Sequence, residues 1–507
     1  MALPPKLYQF LVCCFAALGS FTYGYDLGVI AQVVASDSFI SSFQPNSSEN
    51  GAVVALFTGG AFFGAFFAGF LSDRLGRRGT IAAATVVFVV GGVLQAAAQN
   101  LSYMHGGRFI AGVGTGVYCM IIPLYQAELC HPSIRGRVTS LQQFFLGIGS
   151  LIASWVGYGC YLGFAKDDNN QWRVPLGIQV IPAGILGLLI FFFPESPRWL
   201  VAHDKPEKGI ATLAKLHAHD NVDDAFVKVQ FEQISDEVET ERQQAVHSWI
   251  ELFRHKTNFR RVLICTSLQA AIQMTGVSAI QYFSPTIFAQ IGFTTGKTLL
   301  FQSINSIIAL VAQGLCVLLI DYTGRRWVVI SGMLGNCLMF IVATILLAKF
   351  PAGESNNRSA QIGFIASTWI YNFIFSSCCG PESWIIPAES FSIATRSKGV
   401  ALASMVSFAF NTMIGQVTDP AITNIGYKYF YLFIVCNFTN AVFFWAFLPE
   451  TGSTPLELME TLWNDTPWFV PAAKMRPDYL KELQNQTKEV EEKTATATHV
   501  EDSQDRA

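Results

Sequence analysis

Two ionisable residues, Asp26 and Arg108, lie inside long apolar segments of this 507-residue chain. A charge at membrane depth is costly, so such residues mark transport pathways or proton sites. Because both belong to the first half of the chain, each is most cheaply stabilised by the other. A buried carboxylate beside an arginine can bind a proton whose occupancy changes with solvent access. A permanent ion pair that fixes helix packing explains the two residues equally well, and the sequence leaves both roles open.

A second set of charged residues occurs twice in the chain. The phrase from Asp73 to Arg78 returns at 321–326, and Glu128 and Glu195 also have counterparts. The common offset is about 250 residues, which indicates two homologous halves. If the halves move about a central site, ion pairs among these residues can lock one state and break in the other. Signals for membrane orientation explain the arginines but not the recurring carboxylates. The predicted gate residues are Asp73, Arg77, Glu128, Arg135, Glu195, Arg198, Asp321, Arg325, Glu389, Arg396 and Glu450.

A third set consists of amides, hydroxyls and aromatic rings in four different apolar segments. Neutral hydrogen-bonding groups beside aromatic faces suit an uncharged, polyhydroxylated ligand better than an ion. Any one of them alone is more often an interhelix hydrogen bond, so the argument rests on their joint placement. The candidates are Gln142, Gln143, Gln273, Ser278, Gln281, Tyr282, Phe283, Trp384, Ser407, Phe408 and Asn411.

The elements that must position these residues are membrane spans. The chain is 51% hydrophobic and 14% charged, whereas soluble proteins are roughly 25% charged. A span needs about 20 predominantly apolar residues. By this criterion the sequence predicts twelve spans, at 9–33, 53–71, 80–99, 105–126, 138–160, 174–193, 260–290, 299–320, 327–349, 361–388, 399–417 and 428–448.

Breaks inside two of the spans predict where a site lies, and the charges of the loops predict how the protein is oriented in the membrane. Gly276 and Pro285 interrupt the seventh span and Gly380 and Pro381 the tenth, as happens where a cavity satisfies the freed backbone groups. The short loops on one side carry the arginines and the loop 34–52 carries none, so the basic side is predicted to be cytoplasmic, together with both termini. Three sequons fall on the opposite side and are candidate glycosylation sites: Asn46, Asn100 and Asn357.

The chain divides into four predicted parts. Residues 1–200 and 259–462 form two six-helix bundles, 201–258 a polar, helical cytoplasmic linker domain, and 463–507 a hydrophilic tail predicted to be disordered. The predicted fold class is therefore an all-α membrane protein. Nucleophile–base sets, phosphate loops, metal-ligand spacings and basic arms for nucleic acid are not found in the sequence. Neither an enzyme nor a cofactor or metal site is expected.

At the level of its motifs, the chain resembles the sugar porter family of the major facilitator superfamily, and most of all its fungal members. The match covers nearly all of residues 8–460. The motifs that carry it are Asp73-Arg74-Leu75-Gly76-Arg77-Arg78, Gly107-Arg108, Pro123-Leu124-Tyr125-Gln126-Ala127-Glu128, Arg135-Gly136-Arg137, Pro194-Glu195-Ser196-Pro197-Arg198-Trp199-Leu200 and Pro449-Glu450-Thr451.

The resemblance implies two pseudo-symmetric bundles that alternate access to a central sugar site. Asp26 matches the acidic position of the family's proton symporters, and Arg108 matches its partner. Other positions match family sugar contacts or aromatic residues beside the cavity. These positions are Gln143, Gln273, Trp384, Asn411, Tyr23 and Tyr282.

Departures from the family pattern bear on the substrate. Ile272 replaces the first amide of a Gln-Gln pair, Ser278 replaces an Asn, and Ser407-Phe408 replaces the Asn-Trp of animal glucose carriers. Each lost hydrogen bond is worth on the order of 1 kcal/mol. Glu382 in the tenth span has no assigned role.

The expected function is transport of a monosaccharide, a hexose, across the plasma membrane with a proton. The expected partners are therefore the sugar, the proton and the lipid bilayer. A facilitative uniporter and a transporter-like sugar sensor remain the alternatives.

Overall fold

The computed structural model describes residues 4–130, 135–218, 220–244, 251–319, 324–350, 357–391, 393–452 and 459–472. Within these ranges the chain is helical apart from short connections, and they contain no β-strand. The prediction of an all-α protein is confirmed. Asp321 and the tail after 472 lie outside the described residues.

The first half of the chain and the linker contain twelve described helices. Side-chain caps start several of them: Ser36 caps α3 through Phe39 N, and Asn46 and Glu49 form a capping box at α4. The helices are α1 (Pro5–Ala16), α2 (Leu18–Val34), α3 (Asp37–Phe43), α4 (Ser47–Ala96), α5 (Leu101–Leu129), α6 (Arg135–Gly163), α7 (Asn170–Ile178), α8 (Val180–Leu189), α9 (Pro197–Ala202), α10 (Pro206–His217), α11 (Ala225–Gln244) and α12 (Glu251–Arg254).

The second half repeats this arrangement with breaks inside two spans. Gly276, with φ 96°, separates α13 from α14, and a π-helical turn at Phe375–Cys379 joins α17 to α18. The helices are α13 (Lys256–Gln273), α14 (Val277–Ala289), α15 (Thr295–Leu319), α16 (Arg325–Lys349), α17 (Arg358–Ile374), α18 (Gly380–Ser390), α19 (Ile393–Ile425), α20 (Phe430–Phe447) and α21 (Met459–Asp465).

Ten helical stretches in the described part of the chain are long and apolar enough to cross a membrane. Two of them, Ser47–Ala96 and Lys398–Phe447, contain 50 residues each. At 1.5 Å per residue such a stretch is about 75 Å long, more than twice the roughly 30 Å of a hydrocarbon core. The first stretch is divided at Gly76 (φ 74°) and the second at a 3₁₀ turn, Gly426–Tyr429. Twelve crossings therefore fit the ten stretches, and the count of twelve stays a prediction.

Glycines allow α4 and α5 to pack with their backbones in contact. A Cβ atom at Gly112 would collide with the carbonyl oxygen of Phe57, and one at Gly116 with that of Ala61. Small residues permit this approach between membrane helices, where dispersion rather than water exclusion drives association. The contact fixes α5 against α4 directly beside Arg108, which lies one turn before Gly112.

The linker helices rest on the first bundle. Leu213 and Ala214 of α10 form a small core with Val227 of α11. Gln9 of α1 donates from Nε2 to the carbonyl oxygen of Leu216 at 2.9 Å and is 1% exposed. The predicted linker thus has helices of its own, while the four domain boundaries stay predictions.

Candidate functional site

The two intramembrane charges form a direct ion pair. Arg108 Nη1 donates to both Asp26 oxygens, at 2.6 and 2.7 Å, and the side chains are 1% and 0% exposed. Arg108 Nε donates to the carbonyl oxygen of Val53 at 2.8 Å. The guanidinium carbon also lies 4.4 Å from the centroid of the Phe57 ring, where the quadrupole of the ring attracts a cation. Three elements, α2, α4 and α5, therefore hold one buried pair.

Aromatic rings connect this pair to the second half of the chain. Phe57, which lies under Arg108, stacks on Tyr23 with ring centroids 6.4 Å apart. Tyr23 in turn meets Phe408 of α19 edge to face at 6.3 Å. A change in the position of Arg108 can thus reach α19 through two ring contacts.

Polar side chains of the second half meet next to Phe408. Gln273 Nε2 donates to Ser407 Oγ at 3.0 Å, and Ser278 Oγ donates to Gln273 Oε1 at 2.7 Å. All three residues are buried, at 9% exposure or less. The amide at the end of α13 is thereby fixed between α14 and α19.

Two further candidates lie beside this cluster. Tyr282 is 1% exposed and lies next to the Asn411 side chain, and Asn411 Oδ1 has no hydrogen-bond partner among the described residues. An acceptor buried without a partner is unusual in a folded protein and is available to a ligand hydroxyl.

The remaining predicted contacts lie around the break between α17 and α18. A Cβ at Gly380 would lie 3.8 Å from Gln143 Nε2, so Gln143 of the first half faces the tenth span. Trp384 is half-buried in α18. Its neighbour Ser383 accepts a 2.8 Å hydrogen bond from Gln269 Nε2, one turn before Gln273. The predicted sugar contacts therefore converge from α2, α6, α13, α14, α18 and α19.

One end of the helical bundle carries the repeated charges. We call it the basic face and define it by Arg77, Glu128, Glu195, Arg325, Glu389 and Glu450. In the first half, Arg77 forms two bonds with Glu128, Nε to Oε2 and Nη2 to Oε1, both at 2.7 Å. The two side chains are 10% and 8% exposed. In the second half, Arg325 Nη2 lies 3.3 Å from Glu389 Oε1, and Glu389 is 26% exposed. The pairs are equivalent by repeat, but the second is looser.

The third repeated carboxylate binds backbone amides at a helix start. Glu195 accepts from Arg77 N at 3.0 Å and from Arg78 N, and Glu450 accepts from Arg325 N at 2.7 Å and from Arg326 N at 3.2 Å. Carboxylates suit these positions because the amides at a helix N-terminus lack partners within the helix. The repeat pattern singled out these carboxylates but did not indicate that they bind backbone amides.

The other gate candidates are only partly described. Asp73 is exposed, and its carbonyl oxygen accepts from Trp199 Nε1 at 3.1 Å. Arg396 Nε donates to the carbonyl oxygen of Phe391 at 3.3 Å. Arg198 is half-buried in α9. The Arg135 side chain and Asp321 lie outside the part of the chain that the structure describes.

Hydrogen bonds join the two halves at the opposite end, which we call the neutral face. Asn50 Nδ2 donates to Asp419 Oδ2 at 3.2 Å, and Gln416 Nε2 donates to the carbonyl oxygen of Ser48 at 3.0 Å. Deeper in the bundle, the Thr58 and Thr412 hydroxyls lie 2.9 Å apart. The periodicity of the sequence did not predict these contacts, because each of them joins isolated polar residues. These hydrogen bonds hold α4 against α19 at the neutral face.

The three sequon asparagines cap helices on the neutral face. Asn46 Oδ1 accepts from Glu49 N, Asn100 Oδ1 from Tyr103 N, and Asn357 Oδ1 from Ser359 N, at 2.9, 3.0 and 3.0 Å. A cap uses the side-chain oxygen, so the amide nitrogen is left for other bonds. Glycosylation at these asparagines stays a prediction.

Comparison with known proteins decides the family. The family model "Sugar (and other) transporter" matches residues 12–463. The chain belongs to this family. The family match and the helical architecture together confirm a multi-pass membrane transporter of the major facilitator superfamily, and the family points away from an enzyme.

Three similar proteins have names that differ in the cargo they state. A high-affinity glucose transporter of Kluyveromyces lactis is 30% identical over 478 residues, covering 91% of this chain and 86% of the relative. A quinate permease of Emericella nidulans is 30% identical over 495 residues, covering 93% and 92%. The solved proton:xylose symporter XylE, bound to 6-bromo-6-deoxy-D-glucose, superposes with a TM-score of 0.76 at 25% identity, covering 90% of this chain and 100% of the other.

Proposed function

We propose that this protein carries a monosaccharide, a hexose, together with a proton across the plasma membrane by alternating access, with the basic face in the cytoplasm. The observation that carries the proposal is the fully buried Asp26–Arg108 pair and its connection through Phe57 and Tyr23 to Phe408, beside the polar cluster. Coupled transport needs two sites that influence each other, and this chain of contacts supplies a physical path between them.

The chemistry of the polar cluster supports a neutral, hydroxyl-rich cargo. Gln273 and Asn411 offer amides, Ser278 and Ser407 offer hydroxyls, and Tyr23 and Trp384 offer ring faces. Arg108 is occupied by Asp26 at 2.6 Å, so a cargo carboxylate would have to compete for it. This favours a hexose over quinate, although one relative is named as a quinate permease.

Proton coupling follows from the electrostatics of the pair. With Asp26 ionised, two charge-assisted bonds of 2.6 and 2.7 Å hold Arg108 in place. Protonation removes the negative charge and converts one oxygen into a donor, so the pair loses most of its attraction. Arg108 then relaxes toward Val53 and Phe57, and Phe57 transmits the change to Tyr23. The solved relative XylE, named a proton:xylose symporter, adds weight to coupling.

The basic-face clusters are proposed to form the cytoplasmic gate. The Arg77–Glu128 and Arg325–Glu389 pairs each lie within one half, so they act by fixing the shape of each half's basic-face end. Arg77→Glu and Arg325→Glu should lengthen the distance between spin labels placed on the two halves at that face. An unchanged distance distribution in both variants would rule out the gate.

The test of transport is uptake of labelled D-glucose, D-xylose and quinate into proteoliposomes with and without an inward proton gradient. Symport predicts gradient-driven accumulation of a sugar. Asp26→Asn should abolish the accumulation and keep sugar exchange, because the site remains but its proton switch is gone. Asp223→Asn, the same change at a linker carboxylate that is 89% exposed, is the matched control.

Three other outcomes would contradict part of this proposal. Wild-type uptake that ignores the gradient indicates a uniporter, and sugar binding without flux indicates a sensor. Accumulation of quinate but of neither sugar would overturn the assignment of the cargo.

A further inference from the structure

Glu382 is a second buried carboxylate, and its surroundings differ from those of Asp26. It is 0% exposed, and neither Oε1 nor Oε2 has a hydrogen-bond partner among the described residues. Asp26 is equally buried, but Arg108 holds both of its oxygens. An ionised carboxylate that is buried without a partner is strongly disfavoured, whereas the protonated acid carries no net charge. The position of Glu382 therefore suits a bound proton.

The charged groups that face Glu382 come from the basic-face cluster of the second half. Its electrostatic neighbours are Arg325 at the start of α16, Glu389 about two turns further along the same face of α18, and Glu450 after α20. Three carboxylates thus lie around Arg325, and the neighbouring Arg326 also faces Glu450. Helix α13 faces α18 with Gln269, which binds the Ser383 carbonyl. Further titratable groups on the packed elements include the thiols of Cys265, Cys316, Cys337, Cys378 and Cys379 and the cations Arg260, Arg261, Arg326, Arg396 and Lys398.

The internal repeat supplies a natural comparison for this residue. Glu382 stands seven residues before Glu389, and the residue seven before Glu128 is Ile121, which is 1% exposed. The half with isoleucine has the tight arginine–carboxylate pair, with two bonds of 2.7 Å, and the half with glutamate has one contact of 3.3 Å. An extra carboxylate near the arginine and a looser pair therefore occur together.

We propose that Glu382 is a second proton-binding residue of this transporter and that release of its proton rearranges the Arg325 ion pairs at the basic face. Once ionised, Glu382 competes with Glu389 for Arg325 and draws α16 and α18 together. This response to cytoplasmic pH belongs to the second half, because the equivalent residue of the first half is Ile121, which cannot titrate. The inference goes beyond sugar–proton coupling, because it requires neither a cargo nor Asp26.

The proton on Glu382 can be detected directly by infrared spectroscopy of the full-length protein in lipid. The carbonyl stretch of a protonated, buried carboxylic acid should disappear as the pH is raised. This pH-sensitive band should persist in Asp26→Asn and in the exposed-site control Glu207→Gln, and it should be lost in Glu382→Gln. A band that survives in Glu382→Gln, or that is lost in Asp26→Asn alone, overturns the assignment.

The link to the basic face needs a conformational readout without substrate. Spin labels at Arg74→Cys and Lys256→Cys, both exposed positions, report the distance between the halves once the partly exposed native cysteines are replaced by serine. In an Asp26→Asn background, the distance distribution should shift with pH when residue 382 is Glu and stay fixed when it is Gln or Ile. The Ile variant introduces the residue that the first half has at the equivalent position. It keeps the test valid if the Gln variant misfolds. A pH response that is the same with Glu, Gln and Ile refutes the proposal, whatever the outcome of the uptake assays.

Discussion

Neutralising Glu128 should destabilise the protein more than neutralising its repeat counterpart Glu389. Glu128 makes two 2.7 Å bonds with Arg77 and is 8% exposed, whereas Glu389 makes one 3.3 Å contact with Arg325 and is 26% exposed. Breaking a buried ion pair by removing one charge costs about 3–5 kcal/mol. Glutamine keeps an acceptor oxygen worth about 1 kcal/mol, so Glu128→Gln should cost about 3 kcal/mol, the difference between the two energies.

The same reasoning gives a smaller cost in the second half. A single long contact with a partly solvated carboxylate is worth about 1 kcal/mol or less. The expected ratio of the two effects is therefore about three to one. This asymmetry arises from local geometry, since the two residues occupy equivalent positions of the repeat.

The assay is thermal unfolding of the purified protein in lipid nanodiscs at one fixed scan rate, because large membrane proteins seldom unfold reversibly. The unfolding midpoint should fall clearly for Glu128→Gln, less for Glu389→Gln, and not at all for Glu207→Gln, an exposed carboxylate in α10. The double variant Arg77→Gln/Glu128→Gln should recover part of the loss, since no buried charge is left unpaired. An effect at Glu389 that equals or exceeds the effect at Glu128 would refute the reasoning.

Three further predictions test other parts of the site. Gly112→Leu should separate α5 from α4, displace Arg108 and abolish gradient-driven uptake, whereas Gly106→Leu on the same helix, with nothing within 4 Å of its Cβ position, should keep it; equal uptake in both contradicts the packing argument. Gln273→Ala and Ser407→Ala should each raise the KM for sugar about five- to tenfold, the equivalent of about 1 kcal/mol, and unchanged KM values would move the site elsewhere. Asn46→Asp should keep the α4 cap and the unfolding midpoint while any glycan-dependent gel shift is lost; a lower midpoint would contradict the capping role.

The sequence could predict a contact where every other arrangement of the residues would cost much more free energy. Asp26 and Arg108 had to meet because an isolated charge in an apolar span is so costly, and the structure confirms the pair. The all-α fold follows as directly from the apolar runs, since each is far too long for a strand. The close packing of α4 on α5 through glycines was not predicted, because the effect of a glycine depends on which helix lies opposite.

The pairing of the basic-face charges was beyond the sequence. Spacing along the chain did not indicate that Arg77 binds Glu128, because the sharp turn at Gly76 brings the two side chains together. Ser407 was predicted as a candidate site residue and noted as a departure from the family pattern, but its hydrogen bond with the Gln273 amide was not predicted. The sequence around Glu382 did not indicate its role, because its charged neighbours Arg325 and Glu450 lie on α16 and after α20. Such partners are set by tertiary packing, which the local pattern does not encode.

The central claim is that protonation of Asp26 accompanies sugar movement through the polar cluster. The most direct measurement is the pH of a weakly buffered medium when sugar is added to proteoliposomes that contain the protein. The account predicts a transient, sugar-dependent alkalinisation outside the vesicles for the wild type and for Asp223→Asn, and none for Asp26→Asn. Sugar entry without alkalinisation in the wild type, or alkalinisation that persists in Asp26→Asn, would contradict it.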